Sequence, residues 1–176
     1  MTGAAKATQT AFLDNATVGL GRTLYLALIK WTGTSGAGAG QEPNDDGTMP
    51  ANVAEVSGGG YARKSVASTD WSSAVAGALG TASSKQVPKS GGAAITWTAS
   101  GAAYGEIVAY ALYDASSAGN MIWSGCLTDS SGTPVYRTVS DGDSFTFDET
   151  NPIVVKAGDP AKVVDATAGT QRTVPT

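Results

Sequence analysis

The sequence contains no histidine, and this absence removes more function than any other single feature. Without histidine there is no Ser-His-Asp or Cys-His nucleophilic arrangement and no imidazole-based metal site. Cysteine is nearly absent as well. Cys126 stands alone in 176 residues, so an intrachain disulfide framework is excluded. With no histidine to activate it, this thiol is expected to act as a small buried hydrophobe in an apolar strand. Charge is scarce: Asp, Glu, Lys and Arg make up 15% of the chain, against about a quarter in ordinary globular proteins. The 11 basic and 15 acidic residues give a net charge of −4 without a basic cluster, which argues against nucleic acid as a partner. No stretch approaches the ~18 apolar residues of a membrane span, and the opening "MTGAAKATQT" lacks the apolar centre of a signal peptide. The expectation is a soluble protein made in the cytoplasm, with no membrane partner.

What the chain does have is glycine, 23 residues of it, along with runs of Ala, Ser and Thr and an apolar fraction of 41%. This is the composition of a turn-rich β protein with small-residue surfaces. The length suits one domain with its own core. The expected organisation is a single domain over residues 11–158, with an N-terminal arm at 1–10 and a polar C-terminal arm at 159–176. An arm this polar is ordered only where something holds it.

Along the chain, "AAKATQTAFLDNATVGLG" carries helix formers, the apolar set Phe12, Leu13 and Ala16, and glycine stops, which predicts one short helix. "RTLYLALIKW" is apolar on both faces and predicts a central strand covered on both sides. Residues 33–50 are nearly all turn formers and predict a long loop, functional or mobile. Strand pieces follow in "YARKSVAS", "AAITWTAS", "YGEIVAYALYD", "MIWSGCLTD", "TPVYRTVS", "DSFTF" and "PIVVKAG". Ile95 and Trp97 alternate with threonines, and Phe145 and Phe147 alternate with Ser144 and Thr146, as strands with one wet face do. "ASSAGN" is short enough to close a hairpin, and "SDGDS" carries an Asp-Gly turn. Trp71, Val75 and Leu79 recur at helical spacing and predict a helical turn or an excursion loop. The fold class expected is mainly β: an antiparallel β-sandwich of about seven or eight short strands, with a short N-terminal helix and extended terminal arms.

Carboxylates are the remaining acid-base groups. Glu106 lies in a strand, and Asp148 and Glu149 follow "SFTF"; strand-end carboxylates of this kind are far more often solvated turn residues than a glycosidase pair. Asn44, Asp45, Asp46 and Gly47 faintly resemble a calcium loop but lack the alternating spacing and distal glutamate, so a plain turn is expected and no metal. In "EVSGGGYARKSV", Gly58, Gly59 and Gly60 fail as a phosphate cradle, because no Lys-Ser/Thr at a helix start follows them and "YARKSV" has a strand pattern. They are expected to form a bend that needs positive φ. Tyr61 and Arg63 then project to one face. The aromatic ring can pack there, while the guanidinium pairs with a nearby carboxylate or caps loop carbonyls. No catalytic residue and no cofactor emerge.

Taken in order, "TLYLALI", "EVSGGGYARKSV", "AAITWTAS", "GEIVAYALYDASSAGNMIWSGCLT", "VSDGDSFTF" and "NPIVVKAG" resemble a family of small tailed-bacteriophage virion proteins described as tail-fibre-like or capsid-associated. The resemblance spans about residues 10–158. "EVSGGGYAR" and "YALYDASSAGNMIWSG" are its most specific parts. The insertion at 33–50, the segment 70–92 and the tail after residue 158 depart from the family pattern.

The resemblance implies a β-rich, non-enzymatic structural protein of the particle, made in the host bacterial cytoplasm and located in the virion. The first expectation is a capsid decoration, or cement, protein that binds the major capsid protein and sister copies in dimer or trimer clusters. Interfaces of about 800 Å² per partner suffice for such attachment. The alternative is a tail or head fibre component contributing to host-surface attachment. Phe12 and Leu13 are the expected partner anchors, provided they are exposed in the isolated fold.

Overall fold

In the computed structural model, the pattern of "LYLALIKW" produces strand β1 (Leu24–Trp31), and five further strands assemble around it. The structure describes residues 13–15, 20–75 and 83–157, and two short strands at 164–165 and 170–171. The chain divides into two compact units. The first takes the segments up to Thr23, Ala67–Ala94 and from Phe147 onward, and the second takes Leu24–Val66 and Ile95–Thr146.

The second unit holds the main sheet. β1 pairs antiparallel with β6 (Gly105–Tyr113), from Tyr25 opposite Tyr113 to Trp31 opposite Glu106. On the free edge of β1 two short strands lie end to end: β2 (Val53–Glu55) against Ile29–Trp31 and β3 (Lys64–Val66) against Leu24–Leu26. The free edge of β6 is completed in the same way by β7 (Met121–Cys126) and β8 (Arg137–Val139). The sheet is therefore four ribbons wide, and both outer ribbons are broken. Leu24, Leu26, Leu28, Ile29, Ile107, Val108 and Leu112 are fully buried, which is why these two strands carry near-continuous apolar runs. One face gathers Ala27, Ile29, Val53, Val108, Ala109, Ala111 and Tyr113, with Tyr25, Trp31, Met49 and Met121 packed beside them.

β5 (Ile95–Thr98) pairs with β9 (Ser144–Phe147). The alternation of their sequences sorts the two faces: Trp97 and Phe145 are buried, while hydroxyls meet on the wet side, Thr96 with Thr146 at 3.0 Å and Thr98 with Ser144 at 2.8 Å.

In the first unit β4 (Ser83–Val87) and β10 (Ile153–Ala157) form an antiparallel pair in which Ile153 faces Val87 and Val155 faces Lys85. Leu13, Leu20, Trp71, Val87, Ile153 and Val155 supply its buried residues. Lys85 is 6% exposed, and its Nζ donates to Asp14 Oδ1 at 2.7 Å. A single 3-10 turn, Ser68–Asp70, leads into Trp71 and is closed by Asp70 accepting the Ala67 N–H at 2.8 Å. β11 (Val164–Asp165) and β12 (Thr170–Gln171) pair only with each other.

The architecture is mainly β and antiparallel, as expected. It is cut into more pieces than seven or eight, because β2 and β4 carry too little apolar signal to stand out in the sequence. The helical spacing of Trp71 and Val75 is overturned: Val75 forms an antiparallel bridge with Ser84, so the segment is extended beside β4, and Leu79 lies outside the described residues. Most of the predicted N-terminal helix, the 1–10 arm and nearly all of the 159–176 arm also lie outside the described residues.

Candidate functional site

The break between β2 and β3 organises one side of the sheet. Gly58, Gly59 and Gly60 all have positive φ, at 77°, 58° and 71°, so the chain loops out in a conformation that L side chains rarely adopt. A Cβ on Gly59 would stand 2.4 Å from the Ala102 carbonyl oxygen, so even alanine is excluded there. The excursion leaves the Leu28 N–H of β1 without a neighbouring strand. The Tyr61 hydroxyl fills that gap, accepting from Leu28 N–H at 3.0 Å and donating to Glu55 Oε1 at 3.1 Å. Burial, and after it the Glu55 charge, push the Tyr61 phenol far above its ordinary range.

Arg63 completes the cluster. Its Nε and Nη2 donate to the two oxygens of Glu55 at 2.9 and 2.8 Å, and Nη1 donates to the carbonyls of Ala115 and Ala118 at 2.8 and 2.7 Å. The guanidinium carbon lies 3.5 Å from the centre of the Tyr113 ring. The Glu55 hydrogen bonds raise the Arg63 pKa further and hold it cationic. Ala115 and Ala118 belong to the β6–β7 hairpin turn, which Asp114 closes by accepting from the Asn120 N–H at 2.7 Å. Tyr61 also meets Tyr104 edge to face at 5.8 Å, and Trp97 Nε1 donates to Ala62 O at 2.9 Å. The stretches "EVSGGGYAR" and "YALYDASSAGN", far apart in sequence, thus meet at Arg63. What the sequence did not signal is that Glu55 and the hairpin turn are the partners.

The second feature is the 33–50 loop. It is tied down along its length. Glu106 accepts from Ser35 Oγ and from the Gly36 N–H, Trp31 Nε1 donates to Thr34 O at 2.8 Å, and Pro43 is buried. The Glu42 residue is exposed, yet its carboxyl sits against the protein. Desolvation raises its pKa, outweighing the hydrogen bond it receives from the Cys126 N–H. Residues 44–47 form a turn, with Gly47 N–H donating to Asn44 O at 2.9 Å, and Asp46 accepts from the Thr48 N–H and hydroxyl at 2.9 and 2.6 Å. This turn and strand β7 border a shallow depression of about 230 Å³, half open to solvent, lined by Asn44, Asp45, Met121, Ile122, Trp123 and Ser124.

The remaining expected residues fall elsewhere. Cys126 is half-buried rather than buried, because it lies on the edge strand β7; burial and the Glu42 charge push its thiol up. Asp148 accepts from the Thr150 and Asn151 N–H groups and so closes its own turn, while Glu149 accepts from the Gly91 N–H at 2.7 Å and ties its loop to a distant one. Leu13 is fully buried within the chain and is not available as a partner anchor. Phe12 lies outside the described residues.

Residues 3–154 match the family described as Podophage GP4 fiber I protein gp80. The chain belongs to this family. The podophage fiber I match takes in the glycine excursion, the 33–50 loop and both strands of the β6–β7 hairpin, and at this level the chain is a phage structural protein. No curated protein and no solved structure matches it. No helix among the described residues is long and apolar enough to cross a membrane.

Proposed function

We propose that the protein is a fibre component of a podophage virion, a non-enzymatic part that contributes to attachment at the host surface. The observation that carries this reading is the family match over residues 3–154, whose name is that of a fibre. The geometry is in keeping with it. Glu106, Asp148 and Glu149, the carboxylates the sequence offers for acid-base work, are each occupied with backbone N–H groups of loops, Asp148 with its own and Glu106 and Glu149 with loops remote in the chain. The fold spends its buried polar groups on fixing loops to a sheet. A net charge of −4 disfavours nucleic acid as a partner. Sister copies of the chain, in two- or three-fold clusters, are the partners this reading requires.

The reading as a capsid decoration protein bound to the major capsid protein has the weaker support, since the family name points to a fibre. Copy number separates the two. Purified virions analysed by quantitative mass spectrometry, with immunogold labelling to locate the protein, are expected to give a handful of copies at multiples of three or six, placed on fibres. Hundreds of copies spread over the shell would overturn the fibre reading.

A further inference from the structure

We propose that the 33–50 loop is a guard on the open edge of β7, one that keeps this strand from pairing with β7 of a second copy. The inference rests on the main sheet alone and goes beyond the fibre reading. Of the four strands that border the sheet, β2 (VAE), β3 (KSV) and β8 (RTV) are three residues long and each carries a charged residue. β7, MIWSGC, is six residues long with no charge and no proline. Its side away from β6 has no strand partner among the described residues. A long, uncharged edge of this kind is a ready template for a second chain unless something covers it.

The alternation of the ladder identifies the groups on that edge. Leu127 N–H donates inward to Val108 O at 2.8 Å, and the register sets Gly125 opposite Tyr110, so Ser124 and Cys126 turn their N–H and C=O groups outward. Two identical copies can pair there about a two-fold axis, since an antiparallel edge offers its own sequence equal donors and acceptors. The loop stands in the way. A Cβ on Gly40 would lie 3.3 Å from Pro134 Cβ, and one on Gly47 would lie 3.7 Å from Met121 Cβ. Between them Glu42 accepts the Cys126 N–H, and Asn44 and Asp45 stand beside residues 121–124. The loop thus follows β7 from one end to the other.

Anchoring the loop does not by itself require a glutamate at position 42. A glutamine would accept the same N–H without a charge, whereas the Glu42 carboxylate is held against the protein at a desolvation cost, to which the Asp45 charge adds. The charge does what a glutamine cannot. A strand laid on β7 would have to displace or bury it, and two-fold pairing would bring the Glu42 and Asp45 carboxylates of both copies together. Asp46 adds a third acid to the turn, held by the Thr48 N–H and hydroxyl at 2.9 and 2.6 Å. The depression between turn and strand leaves the edge half open, so the guard works by charge and by occupying one outward N–H rather than by full cover.

The test is analytical ultracentrifugation of the full chain across a concentration series, with hydrogen exchange read at each end of it. Glu42→Ala combined with Asp45→Ala removes both charges and frees the Cys126 N–H. This variant is expected to self-associate about tenfold or more tightly than the parent, and the Ser124 amide should exchange more slowly as it does so. Adding Ser124→Pro deletes an outward N–H that the sheet does not use and should return association to the parental level. Ser124→Lys, which puts a charge on the same edge, serves that purpose if proline disturbs the strand. Glu42→Gln with Asp45→Asn keeps the anchor, removes only the charge and is expected to shift association in the same direction, so it decides the matter if the alanine variant unfolds. The proposal is overturned if the uncharged variants associate no more tightly than the parent, if the gain survives the edge substitutions, or if exchange slows elsewhere and not at residues 122–126. Copy number and location on the virion test the fibre reading separately, so either idea can fail alone.

Discussion

At the scale of single residues, Arg63 is the most connected side chain of the second unit, with a bidentate carboxylate, two carbonyls and an aromatic face. Its side chain is 8% exposed and that of Glu55 25%, so removing the guanidinium leaves a largely buried carboxylate, though one that water can reach. Arg63→Ala is expected to cost about 3 kcal/mol, the low end for a broken buried pair, and Arg63→Lys should restore only part of it because lysine cannot span carboxylate and carbonyls together. Urea denaturation of the three proteins measures this. Tyr61→Phe keeps the ring but strands the Leu28 N–H, and about 1–2 kcal/mol should be lost in the same assay. The type of these residues was legible in the sequence, since an aromatic and an arginine two apart after three glycines have to share a face. Their partners were not, because Ala115 and Ala118 offer only carbonyls, and a carbonyl has no residue signature.

At the scale of elements, strands β1, β6 and β7 were legible because burial on one or both faces forces apolar or alternating sequences. β2 and β4 were not: three and five residues of mixed character acquire strand geometry only from a neighbour's ladder. The loops show a recurrent device. Asp46, Asp129 and Asp148 each accept from the hydroxyl and N–H of a Ser or Thr two residues on, and these hydrogen bonds, the hydroxyl's first, hold the carboxyls below their ordinary value of 3.8. A depressed folded pKa means stability that is fully present above the unfolded value and is lost as pH falls through the folded one. Thermal melts from about pH 5 to pH 2 should show the midpoint falling, and a triple Asp→Asn variant should fall less steeply. Glu42 carries the opposite sign. Its raised pKa makes the ionised form costly in the folded state, so stability declines as pH rises through that value. Glu42→Gln keeps an acceptor for the Cys126 N–H without the charge. Its melting point should exceed that of the parent at pH 7, and the two should converge near pH 4. The 33–50 loop looked structureless in the sequence because much of its order comes from Glu106 and β7, both remote from it in the chain.

At the scale of the molecule, the chain enters the second unit at Leu24, leaves it after Val66, returns at Ile95 and leaves again after Thr146. Composition predicts a β protein but carries no trace of this interleaving, which depends on which strands pair. Deleting residues 147–176 removes β10, the sole strand partner of β4 among the described residues, together with the buried Ile153 and Val155. The truncated chain should lose a share of its β circular dichroism and unfold in a broader transition at lower temperature; an unchanged melt would show that the first unit holds without β10. The same interleaving has a temporal side. A ribosome releases a chain from its N-terminus, yet the first unit needs Leu13 and Leu20 from the start, β4 from the middle and β10 from residues 153–157. At ~5–20 residues per second, the early apolar residues wait roughly ten seconds or more for their sheet to arrive. The second unit can close around β1 and β6 once Thr146 has emerged. During translation the molecule is therefore expected to be built from its middle outward, with its first residues among the last to find their place.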